Sequence, residues 1–245
     1  MQWSDEGIIL SVKPHGETAA VAEIFTRTHG RHLGLVHGGR SRKLRPVLQT
    51  GNHVDATWKA RLAEHLGHVL LELRKGYAAQ AMDDPLALAG LSSLCALARL
   101  LPERDPHPSL FEVALFVLGY LDDAEVWPAL MVRWELALLD EIGFGLDLAS
   151  CAATGVKDDL IYVSPKSGRA VSAAAGADYK DRLLQLPGFL AKNRQGETTL
   201  ADVISGLDLT GHFLETRVLL PRGETMPAAR VRFKDLLLRR AAEAA

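Results

Sequence analysis

Short hydrophobic segments separated by glycine-rich turns occupy the first third of the chain. Apolar residues there form brief runs or alternate with polar residues, which is the period-two pattern of β-strands. Val69, Leu71 and Leu73, for example, fall on one face of such a segment. The predicted strands cover residues 7–12, 19–25, 33–37, 53–60 and 68–74. Five short strands in about 75 residues predict a small barrel or a β-sandwich.

From residue 84 onward, apolar residues recur at the spacing of a helix. Asp84 followed by Pro85 predicts an N-cap and a first helical residue, and Ser109 with Glu112 predicts a capping box. Gly143 is predicted to end the helix that begins near Trp127. The predicted helices cover about 86–101, 109–122, 127–142, 177–186, 200–205, 209–219 and 228–242.

This change of period predicts two domains. A β domain covers 1–78 and a helical domain covers 79–245, with the boundary near 76–84. Residues 146–176 form an irregular insertion in the helical domain, and 164–168 within it are predicted to form a turn. The predicted fold class is therefore α+β, a five-stranded barrel followed by a mostly helical domain. The strand count fits an OB-fold, but the count alone leaves other small barrels open.

Charge is distributed unevenly along the 245 residues. The composition is that of a globular protein, with 48% hydrophobic and 24% charged residues, and the net charge is only -2. Residues 1–78 nevertheless hold 11 Lys and Arg against 7 Asp and Glu, a net of +4, whereas the remainder holds 17 against 23, a net of -6. Such asymmetry indicates an anionic partner for the basic part of the chain.

Motifs of the common enzyme classes are absent from the sequence. It contains no phosphate-binding loop, no Rossmann glycine fingerprint, no Gly-x-Ser-x-Gly and no His-Glu-x-x-His. We therefore expect no catalytic site, no cofactor and no enzymatic activity. The acidic start does not resemble a signal peptide, and no apolar run reaches the roughly 20 residues of a membrane span. With only two cysteines, these features predict a cytoplasmic protein without a membrane partner.

The basic segment 27–45 carries the clearest functional signal. No acidic residue occurs between Phe25 and Gln49, and Gly38-Gly39 places the second group of cations on a turn after a strand. Arginine and lysine in such a position neutralise phosphates without base-specific geometry. Arg74 extends the track if its strand shares the same face. The candidate nucleic-acid-binding residues are Arg27, Arg31, His32, Arg40, Arg42, Lys43, Arg45 and Arg74.

Several segments in order along most of the chain resemble RecO, a bacterial DNA-repair and recombination mediator. The opening Glu6-Gly7-Ile8-Ile9-Leu10 with Gly16-Glu17 is similar to the start of that family. Residues 33–42 resemble its third strand and basic loop. The segment 133–144, with its arginine and its final Gly-Phe, is similar to the family's arginine-containing helix.

The resemblance implies functions that the residues alone do not establish. A RecO-like protein has an N-terminal OB-fold and a helical C-terminal domain. It binds single- and double-stranded DNA and anneals complementary strands. With RecR and single-stranded-DNA-binding protein it helps to load RecA, and it acts in the bacterial cytoplasm in association with the nucleoid. The expected partners of this chain are therefore DNA, RecR and the acidic C-terminal tail of single-stranded-DNA-binding protein.

The resemblance also implies a zinc-binding insertion, from which this sequence departs. Zinc-binding family members carry two Cys-x-x-Cys pairs. Here Cys151 is followed by Thr154 where the second cysteine would fall, and Ser172 and Ala175 occupy the later pair. One thiolate and a hydroxyl do not supply a tetrahedral sulfur set. We therefore expect a degenerate, zinc-finger-like insertion without a metal, held by packing and by turn hydrogen bonds.

The acidic tail requires an apolar pocket beside a fixed cation. Arg133 is the candidate cation because it lies on an otherwise apolar helix, and Phe111 and Phe116 are the candidate pocket residues. The alternative is that Arg133 pairs with a nearby acid such as Glu112.

Two other functions remain open at this point. One is a protein-interaction adaptor whose helical domain binds partners while the basic segment has no role. The other is an OB-fold RNA-binding factor, since a surface that reads only the backbone carries no code for DNA against RNA.

Overall fold

The computed structural model describes residues 1–62, 64–191 and 197–243. It divides into two compact units, Met1–Ala124 and Glu125–Ala245. The sequence-predicted boundary near 76–84 is the place where strands give way to helices, whereas the first compact unit extends further along the chain. None of the helices in the described ranges is long and apolar enough to cross a membrane.

Five strands form a closed barrel in the first unit. They are β1 (Gln2–His15), β2 (Ala19–Thr26), β3 (Gly30–Val36), β4 (His53–Lys59) and β5 (His68–Lys75). The order around the barrel is β1-β2-β3-β5-β4. All pairs are antiparallel except β3 with β5, which are parallel and meet at one residue pair, Leu35 and His68. The predicted five-stranded OB-fold is confirmed.

The long first strand closes the barrel because its two halves have different partners. Its N-terminal half pairs with β4, from Gln2 with Lys59 to Ile8 with His53. Its C-terminal half pairs with β2 as far as His15. The two regions overlap at Gly7 and Ile8. A register shift between Ile9 and Ser11 interrupts the pairing with β2, and such irregularities bend strands at barrel corners.

Trp58 is the largest side chain inside the barrel and is 2% exposed. Its indole N–H donates to the carbonyl oxygens of Leu33 (3.3 Å) and Leu66 (3.1 Å), so the ring is buried with its polar atom satisfied. Gly67 lies against the ring with a φ of +65°, and a Cβ there would be 2.5 Å from the indole. Only glycine fits this approach.

Three helices follow the strands in the first unit, namely α1 (Tyr77–Gln80), α2 (Pro85–Ala98) and α3 (Pro108–Gly119). The second packs on β1, where the Cys95 thiol lies 3.7 Å from the carbonyl oxygen of Ile9. The third packs on β2, where the rings of Phe111 and Phe25 are 5.4 Å apart. These contacts explain why the compact unit continues beyond the last strand.

The predicted cap of α2 is present in the structure, whereas the predicted cap of α3 is not. Asp84 caps α2 as predicted, since its carboxylate accepts a hydrogen bond of 2.8 Å from the Leu86 N–H. The capping box at Ser109 and Glu112 is wrong, because α3 already begins at Pro108 and its cap makes no side-chain hydrogen bond. The Glu112 carboxylate instead forms an ion pair.

The second unit combines helices with a small sheet. Its elements are α4 (Trp127–Glu141), β6 (Leu160–Val163), β7 (Ala170–Ser172), α5 (Ala173–Gly176), β8 (Leu184–Gln185), α6 (Leu200–Phe213) and α7 (Ala228–Glu243). Short 3-10 segments cover Ala177–Arg182, Gly188–Leu190 and Leu220–Arg222, and a π-helix covers Leu214–Leu219. The ring of Trp127 stacks on Phe233 at 5.1 Å in the core. Gly143, with a φ of +85°, follows α4 as predicted.

Three predicted helices of this unit differ from the structure. The helix predicted over 177–186 is wrong in its second half, because Leu184 and Gln185 pair with Val163 and Tyr162 in the sheet of order β7-β6-β8. The two separate helices predicted over 200–205 and 209–219 are one continuous helical path, α6 followed directly by the π-helix. Gly206 lies within α6 and does not interrupt it. A glycine stands there because a Cβ would lie too close to the side chain of Val132.

The predicted insertion is more regular than its sequence indicated, since it contains β6 and β7. The predicted turn between them is present. The Ser164 N–H donates to the carbonyl oxygen of Arg169, and the Gly168 N–H donates to that of Ser164, both at 2.9 Å. Gly168 has a φ of +70°, which explains the glycine at this turn.

Candidate nucleic-acid interface

The segment Arg40–Arg45, here called the basic loop, is part of the connection between β3 and β4. Its backbone forms hydrogen-bonded turns, such as the Arg45 N–H to the carbonyl oxygen of Ser41 at 3.1 Å. Leu44 and the adjoining Leu48 pack on the barrel core and fix the loop in place. Because the apolar residues occupy the inner side, the basic residues of the loop remain at the surface.

Four cations of the basic loop are exposed. The Arg40 guanidinium donates to the carbonyl oxygens of Gly16 (3.2 Å) and Glu17 (2.9 Å), which orients it without neutralising its charge. Arg42, Lys43 and Arg45 form no ion pair with any residue in 1–62, 64–191 or 197–243. An unpaired surface cation keeps its full charge available to a phosphate. The basic loop is therefore the strongest cationic feature of the predicted track.

Arg27 and Arg74 differ from the loop because carboxylates already neutralise them. Both pair with Glu6 at 2.7 Å. Arg27 also pairs with Glu112, and its guanidinium lies 5.5 Å from the centre of a phenylalanine ring of α3. Arg74 also contacts Asp55 at 2.8 Å. These two predicted residues are held in ion-pair networks of the barrel and do not present unbalanced charge.

Arg31 is part of a network around a buried carboxylate. It pairs with Glu23 and donates to the carbonyl oxygen of Leu101 at 2.9 Å. Glu23 also accepts from Arg99 (2.8 Å) and Ser11 (2.9 Å). Burial raises the pKa of Glu23, but the hydrogen bonds from Arg31 and Ser11 and the Arg99 charge outweigh it and hold the pKa below its usual value. Arg31 is thus committed to stabilising the barrel.

His32 is buried rather than available to a phosphate. Its ring packs edge-on against Trp3 at 5.1 Å and Trp58 at 5.6 Å, and the residue is 7% exposed. Burial lowers its pKa to about 4, and the charges of Arg104 and His29 act in the same direction. The ring is therefore neutral near pH 7, which does not favour the predicted role of His32 as a cationic contact.

This burial predicts an acid-sensitive fold. Unfolded His32 protonates near pH 6.5 whereas the folded residue protonates near 4, so its stabilising contribution is complete above 6.5 and is lost as pH falls toward 4. Between about pH 7 and pH 5 we expect the wild type to lose about 2 kcal/mol more stability than His32→Gln. Urea unfolding of each protein at both pH values measures this difference in stability. The control is His15→Gln, a substitution of an exposed histidine. An equal pH dependence in wild type and His32→Gln would contradict the assignment.

Two of the predicted partner-binding residues, Phe111 and Phe116, lie in the first compact unit, and Arg133 lies in the second. Phe111 is fully buried within the first unit, so its ring is not available to a ligand. Phe116 is 55% exposed and lies 5.0 Å from the ring of Tyr120. Arg133, in the second unit, donates to the carbonyl oxygen of Phe189 and lies 5.9 Å from the centre of that ring. Glu112, which the sequence offered as the alternative partner of Arg133, pairs with Arg27 of the barrel.

Cys151 occupies the position of the degenerate zinc site. Its sulfur is buried and accepts hydrogen bonds from the Ser172 N–H (3.3 Å) and hydroxyl (3.5 Å). Burial raises the pKa of the thiol, but hydrogen bonds from Ser172 and Thr154 and from backbone N–H groups outweigh it and lower the pKa to about 6. Within the described ranges, no three metal-ligating side chains converge. The residues present therefore do not fit a zinc ion, and hydrogen-bond donors surround the single sulfur instead.

The acidic residues that neutralise some of the predicted cations, Glu6 and Glu23, are not evident from the sequence. Glu6 and Glu23 neutralise three of the eight candidates, yet each lies far along the chain from most of its partners. The strand register brings them together, and the register was not predicted. Glu6 lies opposite Asp55 of β4 in the barrel, and Glu23 lies opposite Leu33 of β3.

Comparison with known protein families shows which family the chain belongs to. Residues 1–77 match the family model described as Recombination protein O N terminal, and residues 82–225 match Recombination protein O C terminal. The chain belongs to the RecO family. It is 56% identical over 240 residues to the DNA repair protein RecO of Methylobacterium nodulans, covering 96% of this chain and 98% of the relative. It is 55% identical over 238 residues to that of Rhodospirillum centenum, covering 96% and 94%.

The two matched RecO segments meet between residues 77 and 82, close to the predicted domain boundary, whereas the compact units meet after Ala124. The family segments follow the change from strands to helices. The compact units follow the packing of α2 and α3 on the barrel.

Proposed function

We propose that this chain is a nonenzymatic DNA-binding mediator of recombination that acts in DNA repair. The observation that carries the proposal is the basic loop, with three cations on the barrel surface that form no ion pair within the part of the chain that the structure describes. The relatives named DNA repair protein RecO support the assignment to DNA. Its place of action is the bacterial cytoplasm, on the nucleoid. The OB-fold RNA-binding factor is the second candidate, since phosphate contacts do not select the sugar.

Strand annealing is the activity that the basic loop supports best. Bringing two complementary strands together requires neutralisation of phosphate repulsion while the base edges stay free to pair. Arg42, Lys43 and Arg45 on a short ordered loop supply that charge. The contacts are independent of sequence, so any complementary pair is a substrate. The protein contributes charge and proximity, and base pairing supplies the free energy.

Annealing of labelled complementary oligonucleotides tests this function. We expect the full-length protein to accelerate annealing without ATP, and Arg42→Glu/Arg45→Glu to lose most of the acceleration. Arg232→Glu/Arg239→Glu is the matched control, because it makes the same charge change at two exposed arginines of α7. Acceleration that requires ATP, or an equal loss in both variants, would contradict the proposal. Competition with RNA oligomers of the same sequence separates DNA from RNA preference.

We further propose that RecR and single-stranded-DNA-binding protein are partners in loading RecA, and that Arg133 receives the acidic tail of the latter. The buried Phe111 cannot contribute its ring. Phe189 is the aromatic neighbour that Arg133 already contacts in its own unit. A terminal carboxylate is a stronger acceptor for a guanidinium than the Phe189 carbonyl oxygen that it now binds. The tail would therefore replace an existing hydrogen bond.

A fluorescence titration of the acidic tail peptide tests this site. We expect Arg133→Glu to weaken peptide binding at least tenfold, because it removes a charge-assisted hydrogen bond and adds repulsion. DNA affinity of the same variant should be unchanged, since Arg133 lies outside the barrel. Arg42→Glu/Arg45→Glu should show the reverse pattern. Unchanged peptide affinity in Arg133→Glu would eliminate this site.

A further inference from the structure

We propose that a groove on the barrel beside the basic loop binds an unpaired nucleobase of a single strand. This inference rests on the proposed function, because the basic loop holds the phosphates of the same strand. The groove is a cavity of about 410 Å³ lined by residues of β4 and β5, of the start of β1, of the end of β3 and of the basic loop. Its volume lies within the range of about 300–1,000 Å³ that is typical of small-ligand sites. Its lining includes His37, Leu44, Thr57, Lys59, His68 and Leu70.

Two histidines contribute a stacked pair of aromatic rings to the groove. His37 follows β3 and His68 begins β5, and their rings stack at 4.6 Å with an interplanar angle of 22°. Both residues are exposed. They meet because β3 and β5 pair at Leu35 and His68, two residues before His37. Bases of single-stranded nucleic acids stack on such exposed rings, histidine included.

Apolar residues complete the base-binding surface and join it to the basic loop. Leu70 points outward from β5 and is 60% exposed. Leu44 lines the same cavity and lies between Lys43 and Arg45 in the chain. A base in the groove would cover the exposed Leu70 while its phosphates lie at the loop. The groove and the basic loop are therefore one continuous surface.

Polar groups of the groove select a nucleotide rather than another aromatic ligand. Lys59 pairs with His68 in the β4–β5 register and is exposed. It forms no ion pair among the described residues. An unpaired cation beside a stacked aromatic pair suits a ligand that is both aromatic and anionic. A base within a duplex is already paired and stacked, so the groove favours single strands over duplexes.

An abasic oligonucleotide separates base binding from phosphate binding. It carries the same phosphates as an ordinary single strand and lacks the bases. We expect the wild type to bind an ordinary single strand about tenfold more tightly than the abasic strand at about 0.1 M salt, as measured by fluorescence anisotropy. Equal affinity for the two strands would overturn the groove while leaving phosphate binding by the loop intact. Failure to bind either strand would instead overturn the proposed DNA binding.

Two paired substitutions test the stacking surface itself. His37→Ala/His68→Ala should lose the preference for the ordinary strand, so that its affinity falls to that for the abasic strand. His37→Phe/His68→Phe should keep the preference, because phenylalanine also stacks. Circular dichroism checks the fold of both variants. A preference lost equally in both pairs, or kept in the alanine pair, would contradict stacking on these residues.

Discussion

Replacing Arg230 by methionine is expected to lower the free energy of unfolding by about 3–5 kcal/mol. Arg230 of α7 and Glu135 of α4 form an ion pair inside the second unit, and their exposed fractions are 2% and 0%. The Arg230 guanidinium also donates to the carbonyl oxygen of Leu207 at 2.8 Å, and the Thr210 hydroxyl donates to Glu135. The network therefore links three helices. Without Arg230, the Glu135 carboxylate is left buried without its counter-charge.

Urea unfolding of the full-length protein, followed by circular dichroism, measures this effect. Lys234→Met is the matched control, because Lys234 lies one turn along α7 and forms a more exposed pair with Asp208. Such pairs contribute about 1 kcal/mol or less. The double variant Glu135→Gln/Arg230→Met should recover part of the loss, since no buried charge remains. A loss below about 1 kcal/mol in Arg230→Met, or no recovery in the double variant, would contradict this role.

Reversing Arg42 and Arg45 together should weaken single-strand binding about 25-fold or more at about 0.1 M salt. For each phosphate contact to a single strand, the affinity is proportional to the salt concentration raised to the power of about -0.7. At about 0.1 M salt, each contact therefore raises the affinity about fivefold. The introduced carboxylates add repulsion. The loss should be similar for unrelated sequences, because phosphate contacts carry no base code.

Fluorescence anisotropy with oligonucleotides of at least two sequences measures this loss. Arg232→Glu/Arg239→Glu, which changes the net charge equally, should retain wild-type affinity within about twofold. An equal loss in both variants would show that the overall charge of the protein controls binding. A loss confined to one sequence would show base readout at the loop.

The sequence predicted the architecture because its signals are local. Alternation along residues 53–59, glycines at the turns and the Asp84-Pro85 cap each act within a few residues. The barrel and the start of α2 follow from them. The strand β8 was missed because Leu184 and Gln185 are strand residues only through their pairing with β6. A strand of two residues is too short to show an alternation of apolar and polar residues in the sequence.

The site was only partly predictable, because charge balance depends on long-range register. The absence of acids across 26–48 marked the basic loop correctly as an exposed cationic segment. The same argument could not identify the barrel arginines that face Glu6 or Glu23, which are brought close by strand pairing. Similarly, the helical spacing around Phe111 indicated an apolar face but not that β2 covers it.

The salt dependence of single-strand affinity tests the central claim most directly. Four exposed cations in the basic loop predict a slope of log affinity against log salt of about -2.8 for the wild type. Loss of two contacts in Arg42→Glu/Arg45→Glu should make the slope shallower by about 1.4, while Arg232→Glu/Arg239→Glu leaves it unchanged. A wild-type slope near zero, or an identical slope in the loop variant, would contradict phosphate binding by this loop.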